Sequence, residues 1–407
     1  MPSSTPDTAI VVGAGCSYSL DVPTMANFMD KVFDELGKGE KDSQEQKDLD
    51  CIRNFLQSIK SSAAYVRNQV LNIEELYGLA DMAEDLGGDL GRKAKSALNR
   101  AIFKISSAAG SEFIDQNTCK QFQYKNEELQ IVKRESQTED AETYWPQGTK
   151  FTNLLAYLCL AHHKDQSGKY PLFIQFNWDL ALDRALNLIW GGKAPFSRYL
   201  LQDDPKNHRK RPIIARPHGG INWIDWDTEK IKDEITLNLL KSMDYQCIGA
   251  TEITSPCTIL AADFLHQPMK DTVKCYGGSQ IKIVPPTWRK QADSPAFKLQ
   301  WKYIKAALAS VRRIIFIGYS LPKTDLSFRY FLSLALGQND YCPKVYVWNP
   351  DIFKKDSEVN SNYLSLFEPL AREGRLFGIK HYFGDPACFD LERALSLGKP
   401  LKPMPNL

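Results

Sequence analysis

Three side chains stand where apolar, strand-like runs end, and together they could move a proton. The run 171–176 closes in Asn177-Trp178-Asp179, and the run 212–215 is followed by Arg216-Pro217-His218-Gly219-Gly220. An imidazole such as His218 has an ordinary pKa suited to proton transfer near neutrality, the Asn177 amide can position a water or a hydroxyl, and the Asp179 carboxylate can accept hydrogen bonds. Two glycine loops end further runs. Gly13-Ala14-Gly15-Cys16-Ser17 follows 8–12, Gly318-Tyr319-Ser320 follows 313–317, and Asn349 closes 344–348. Glycine lets backbone amides come close to a pyrophosphate, so the first loop reads as a phosphate cradle. It lacks the third glycine of the hydride-transfer fingerprint, since the six residues from Gly13 end in Tyr18. Each cluster also has a plainer reading. The glycine loop and Ser320 could be ordinary turns, Asn177 and Asp179 a helix cap, and His218 a turn residue bonded to backbone. The chemical reading rests on several strand ends meeting in one place.

The elements that would bring them together follow from periodicity. Nearly continuous apolar runs at 8–12, 171–176, 212–215, 281–284, 313–317, 344–348 and 378–383 read as buried strands. Helical patterns separate most of them, at 22–36, 151–161, 180–190, 296–311 and 326–336. This alternation predicts an α/β, Rossmann-like parallel sheet with helices on both faces, whose ligand crevice lies at the carboxyl ends of the strands. The helix at 22–36 is expected to receive phosphates at its amino end. A charged loop covers 37–50, amphipathic helices follow at 71–86 and 92–109, and 116–148 is polar and unassigned. The chain thus divides into a core of 1–36 and 150–395, a mainly helical insertion at 37–149, and a flexible tail at 396–407.

In this order, Gly13-Ala14-Gly15-Cys16-Ser17, Asn177-Trp178-Asp179, His218-Gly219 and Gly318-Tyr319-Ser320 resemble the motifs of the sirtuin-like family of NAD-consuming enzymes. Asn349 matches the late strand-terminal Asn that meets the adenosine ribose. The resemblance covers roughly 7–30 and 150–385. It implies that Asn177, His218 and Asp179 are catalytic, with His218 the general base on the ribose and Asp179 contacting the nicotinamide carboxamide. It implies that Gly13, Ala14, Gly15, Ser17, Gly318, Ser320 and Asn349 bind NAD as substrate.

The chain departs from protein-deacylating sirtuins in two ways. Those enzymes follow the phosphate loop with an Arg-bearing segment, where this chain has Asp21-Val22-Pro23-Thr24, and they carry paired Cys-x-x-Cys zinc ligands. Here nine cysteines are scattered, none in such a pair, so no metal is expected. Phe176-Asn177-Trp178-Asp179, with Gly318-Tyr319-Ser320-Leu321-Pro322 and Asp325, is instead similar to bacterial sirtuin-like effectors of anti-phage defence that hydrolyse NAD outright. No sensor segment is evident, which implies a homo-oligomer working with a HerA-type ATPase. A deacylase, an ADP-ribosyltransferase and a non-catalytic NAD or ADP-ribose sensor are the competing readings.

Composition bounds the partners. With 51 basic and 49 acidic residues the formal charge is +2, so direct nucleic-acid binding and attraction to anionic membranes are not expected. The basic loop 206–211 reads as solvated. Trp178, Trp223 and Trp288 read as core or pocket wall, and Arg289 is a weak candidate for a phosphate contact. No run approaches the roughly 18 apolar residues of a membrane span, and the polar start lacks a secretion signal, which together predict a cytoplasmic protein.

Overall fold

The computed structural model describes residues 6–20, 22–61, 72–108, 122–125, 128–131, 170–189, 212–226, 245–247, 257–261, 281–283, 295–323, 325–354, 356–383, 395 and 398–401. Its organising element is β1 (Thr8–Val12), five residues rich in β-branched side chains and buried throughout. Such a strand needs neighbours on both edges. It pairs in parallel with β4 (Leu172–Gln175) on one side and β10 (Arg313–Ile317) on the other. Beyond β4 lies β5 (Ile213–Ala215), and beyond β10 lie β11 (Lys344–Trp348) and β12 (Leu376–Ile379), all parallel. The order β12-β11-β10-β1-β4-β5 is that of a doubly wound sheet, because the chain builds outward from β1 to one edge and then crosses to the other. The protein is therefore α/β and Rossmann-like. The reversal point, between β1 and β10, is where such sheets leave a crevice.

Helices follow the sheet strands. They are α5 (Ala181–Ile189) after β4, α6 (Pro295–Leu308) before β10, α7 (Leu326–Leu336) before β11 and α8 (Glu358–Arg372) before β12. Between β1 and β4 come α1 (Phe28–Gly37), α2 (Gln44–Ser61), α3 (Ile73–Asp85) and α4 (Asp89–Ala108), then a hairpin of β2 (Phe122–Lys125) and β3 (Glu128–Ile131). On α1, Phe28, Val32 and Leu36 recur every fourth residue and are buried. Helices α2 and α3 pack on α4, and α4 also touches the second sheet. Asp48 on α2 is clamped by Arg100 of α4 at 2.6 Å, and Lys95 of α4 bridges Asp81 and Glu84 of α3 at 2.8 and 2.6 Å. These ion pairs hold the insertion's helices to one another, and the contacts of α2 and α4 with α1 and of α4 with the second sheet tie them to the core.

That second sheet is antiparallel, with β6 (Gly219–Trp226) flanked by β8 (Cys257–Ala261) and β9 (Ile281–Ile283), and β7 (Tyr245–Cys247) outside β8. The run at 281–284, expected among the parallel strands, sits here. Its apolar residues satisfy either sheet equally, and partner choice is a tertiary matter. Other expectations move by less. The helix expected from 22 begins at Phe28, because the Asn27 side chain turns back to accept hydrogen bonds from the Thr24 amide at 2.8 Å and hydroxyl at 3.1 Å. Helix α2 starts at Gln44, inside the expected loop, and the strand placed at 378–383 lies at Leu376–Ile379. The tail is anchored at its start, where β13 (Lys399–Pro400) pairs antiparallel with β12 and Leu401 is buried. The helix expected at 151–161, the loop 206–211, Trp288 and Arg289 fall outside the described residues.

Candidate functional site

The two glycine loops meet at the reversal point, and they meet each other. The Gly13 amide donates to the Ile317 carbonyl at 3.0 Å, the Gly15 amide to the Gly318 carbonyl at 2.9 Å, and the Cys16 amide to the Gly13 carbonyl at 2.9 Å. Gly318 adopts φ +59°, and a side chain there would overlap the Cys16 amide nitrogen and lie 2.7 Å from the Gly15 Cα. A side chain on Gly13 would come within 2.6 Å of the Tyr319 Cα. These glycines are thus required first by the contact of one loop with the other. Three of the amides expected to cradle a pyrophosphate are already satisfied, and the loop continues into a 3₁₀ turn at Ala14–Cys16 rather than directly into a helix. Ser17, expected to bind NAD, is buried behind the wall and accepts a hydrogen bond from the Asn177 amide at 3.4 Å.

In front of these loops lies a cavity of about 490 Å³, within the usual range for small-molecule sites. Of the expected site residues, Gly13, Ala14, Gly15, Asn177, Asp179, His218, Gly318, Ser320 and Asn349 line it. Asn177 spends its Nδ2 protons on the Gly13 carbonyl at 3.0 Å and the Ser17 hydroxyl, so Oδ1 is the atom it has to offer a ligand. Asp179 uses Oδ1 to cap α5 through the Ala181 amide at 2.9 Å, so the cap reading and the cavity reading both hold for it. Burial raises its pKa, opposed by the Ala181 amide and Arg216. Ser320 sits on an exposed rim, and Asn349 Oδ1 turns inward to the Asp351 amide at 2.9 Å. Tyr18 and Tyr382, each about half exposed, stack at 5.5 Å over the mouth.

His218 is the least satisfied group in the site. It is 2% exposed, packs edge-on against Phe176 at 4.7 Å, and neither ring nitrogen has a partner among the described residues. Burial lowers its pKa below 6.5, while the Asp325 carboxylate pulls the other way. The imidazole is therefore neutral at pH 7, the form that can accept a proton. Cys16, by contrast, is buried and its thiol pKa is pushed well up, by burial and then by Asp179, which rules it out as a ready nucleophile.

Four groups were not singled out from the sequence. Arg216, fully buried, pairs with Asp183 and donates from Nη1 to the Asn177 carbonyl and from Nη2 to the Asp179 carbonyl, both at 2.9 Å. Gly220 leaves room for it, since a side chain there would lie 2.7 Å from Arg216 Nη1, and Gly219 makes the turn at φ +72°. The Arg-Pro-His-Gly-Gly segment thus combines a clamp, a crevice base and the space for both. Asp325 caps α7 through the Phe328 amide at 3.1 Å and accepts from the Tyr319 hydroxyl. Burial first, then Asp325, pushes the Tyr319 pKa well up, so its phenol stays protonated. Glu74, in the first turn of α3, lines the cavity from the insertion side. Burial, with Asp325 and Glu75 adding, raises its pKa to about 8. The signal available for Arg216 was its place in the motif, and Asp325 appeared there only as part of a resemblance. Glu74 carried the signature of a helix start and nothing more.

Among the described residues that line the cavity, carboxyl groups come from Glu74, Asp179, Asp325 and Asp351, and none is Lys or Arg. Among the described residues no group of three or more His, Cys, Asp or Glu could hold a metal ion, and no helix is long and apolar enough to cross a membrane. The chain matches no protein-family model and no curated protein sequence.

Proposed function

We propose that this protein is an NAD+ glycohydrolase, releasing nicotinamide and ADP-ribose, with His218 as general base and Asn177 positioning the ribose hydroxyl or the water. One observation carries the reading. A neutral, buried, unpartnered imidazole and an Asn offering only its carbonyl oxygen line the same crevice at the carboxyl ends of a doubly wound sheet. Cleaving the nicotinamide–ribose bond passes through an oxocarbenium-like state, in which positive charge spreads onto the sugar. An acidic wall of Asp179 and Asp325 favours both that charge and the cationic pyridinium of the bound substrate. His218 then takes the proton released as oxygen attacks the anomeric carbon.

The sirtuin-like motifs support a place in anti-phage defence in the cytoplasm, with the enzyme a homo-oligomer gated by assembly with a HerA-type ATPase and more active in that complex than alone. Exposed apolar side chains give such assembly something to cover. Leu326, Tyr330 and Leu334 form a stripe on α7 at every fourth residue, and Met82, Leu86 and Leu90 crown the α3–α4 turn.

The test follows nicotinamide release from NAD by purified protein, alone and with the ATPase. Turnover should fall by about 10²- to 10⁴-fold in His218→Ala and comparably in Asn177→Ala. Near-normal turnover in His218→Ala would refute the assignment. A requirement for acyl-lysine or a protein acceptor would favour the transferase readings instead.

A further inference from the structure

Glu74 comes from the helical insertion, which the sheet does not need, yet it lines the same cavity as His218. Its place is fixed locally. Asn72 caps α3 by accepting from the Glu75 amide at 3.0 Å, and Ile73, Leu76 and Tyr77 are buried around it, so the first turn of the helix is held against the core. Among the described residues, the charged and titratable groups near it are Glu75 on its own helix and Tyr319 and Asp325 around the end of the loop after β10, with His218, Asp179, Asp351, Tyr18 and Tyr382 lining the same cavity. No cation of this set faces Glu74, and a second carboxylate, Asp325, does.

We propose that Glu74 is a specificity-determining residue of the crevice: its neutral carboxyl donates a hydrogen bond to an acceptor oxygen of the bound dinucleotide, so that the insertion completes the site. The inference rests on the NAD reading above. Physically, a carboxyl placed beside Asp325 in a cavity with no Lys or Arg among its described lining residues costs least when it holds its proton. With Glu74's pKa pushed up to about 8 by burial and then by Asp325, the proton it keeps is a donor at neutral pH and is lost in mild alkali. The Asp179 and Asp325 carboxylates, when ionised, accept hydrogen bonds only, so this donor is the feature they cannot supply. His218 must be neutral and Glu74 protonated, which confines the competent state to a window between the two titrations.

The experiment compares the parent protein with Glu74→Gln and Glu74→Ala in two measurements, NAD affinity by calorimetry and thermal unfolding, each across pH 5 to 9. In the parent, NAD binding should weaken by roughly tenfold between about pH 7 and 9, as the protonated fraction falls to about a tenth. Gln keeps a donor and cannot ionise, so Glu74→Gln should bind somewhat more weakly at pH 7 and lose most of the alkaline decline. Glu74→Ala should bind weakly at every pH. In unfolding, the raised folded-state pKa means the parent loses stability as pH rises from the unfolded value of 4.5 through about 8. The Tm of Glu74→Gln relative to the parent should therefore climb over that range and level off above it. An alkaline decline that persists in Glu74→Gln, or a relative Tm that stays flat, overturns the inference whether or not NAD is cleaved. NAD binding without turnover, with the Glu74 pattern intact, would instead sink the hydrolase reading alone.

Discussion

Replacing Arg216 tests how the site is held. Its guanidinium, fully buried, is the donor for the Asn177 and Asp179 carbonyls and the ion partner of Asp183, itself 1% exposed. Truncation to Ala takes the guanidinium away from a buried carboxylate, which costs up to about 3–5 kcal/mol, and leaves two carbonyls short of a donor at about 1–3 kcal/mol each. These contributions share one residue and do not add fully, so about 5 kcal/mol is the working figure. Against a total stability on the order of 5–15 kcal/mol, that is about a third of the total or more. A paired replacement separates stability from positioning. Asp183→Asn with Arg216→Met removes both charges, and should recover most of the lost stability, because a buried ion pair exchanged for packed neutral groups is often close to neutral. It cannot restore the two carbonyl contacts, so the Asn177 loop should remain misplaced and NAD turnover should stay at least about tenfold down, since small misplacements of catalytic groups are costly. Urea unfolding followed by tryptophan fluorescence, beside nicotinamide release, reads both effects. An Arg216→Ala protein within about 1 kcal/mol of the parent, or a double variant with parental turnover, would refute the reasoning.

Gly318→Ala should lower stability by about 3 kcal/mol or more and abolish NAD binding, since the methyl overlaps the facing loop and φ +59° is itself unfavourable for Ala; binding comparable to the parent in calorimetry contradicts this. The acid limb of NAD turnover should have its midpoint below 6.5, because burial lowers the His218 pKa and the base is needed neutral. For the same reason the unfolded chain holds that proton more readily than the folded one, so His218 destabilises the fold as pH drops below 6.5 and not above it; a His218→Phe variant with no gain in relative Tm under acid conditions would count against that. Finally, Leu326→Glu with Leu334→Glu should reduce the assembly mass seen by light scattering while leaving the Tm nearly unchanged, and an unchanged mass would remove α7 from the interface.

Much of the framework was open to reading from residue order alone, because local rules govern it. Buried parallel strands must be apolar on both faces, so 8–12, 313–317 and 344–348 stand out as runs dominated by β-branched and aromatic residues, and their positions agree with β1, β10 and β11 to the residue. Helix α7 agrees equally closely with the helical pattern at 326–336, and the structure adds Asp325 as its cap. Strand ends in a doubly wound sheet face one crevice, so Asn177, Asp179 and His218 could be grouped before any distance was known. What local rules do not reach is which backbone approaches which. The glycines of the first loop read as space for a phosphate, and the structure shows that they also make space for Gly318 and Tyr319, a contact between residues some 300 positions apart in the chain. The strand at 281–283 found an antiparallel partner in β6, because an apolar run carries no record of which edge will accept it. Arg216 and Glu74 belong to the same class. A buried arginine is tolerable only where Asp183 and two carbonyls converge on it, and the pKa of the half-buried Glu74 carboxyl is pushed up to about 8 only where docking of the insertion partly buries it and sets it near Asp325. Composition and spacing set the elements and grouped the residues of the crevice. Packing alone decided the charge states in which that chemistry would run.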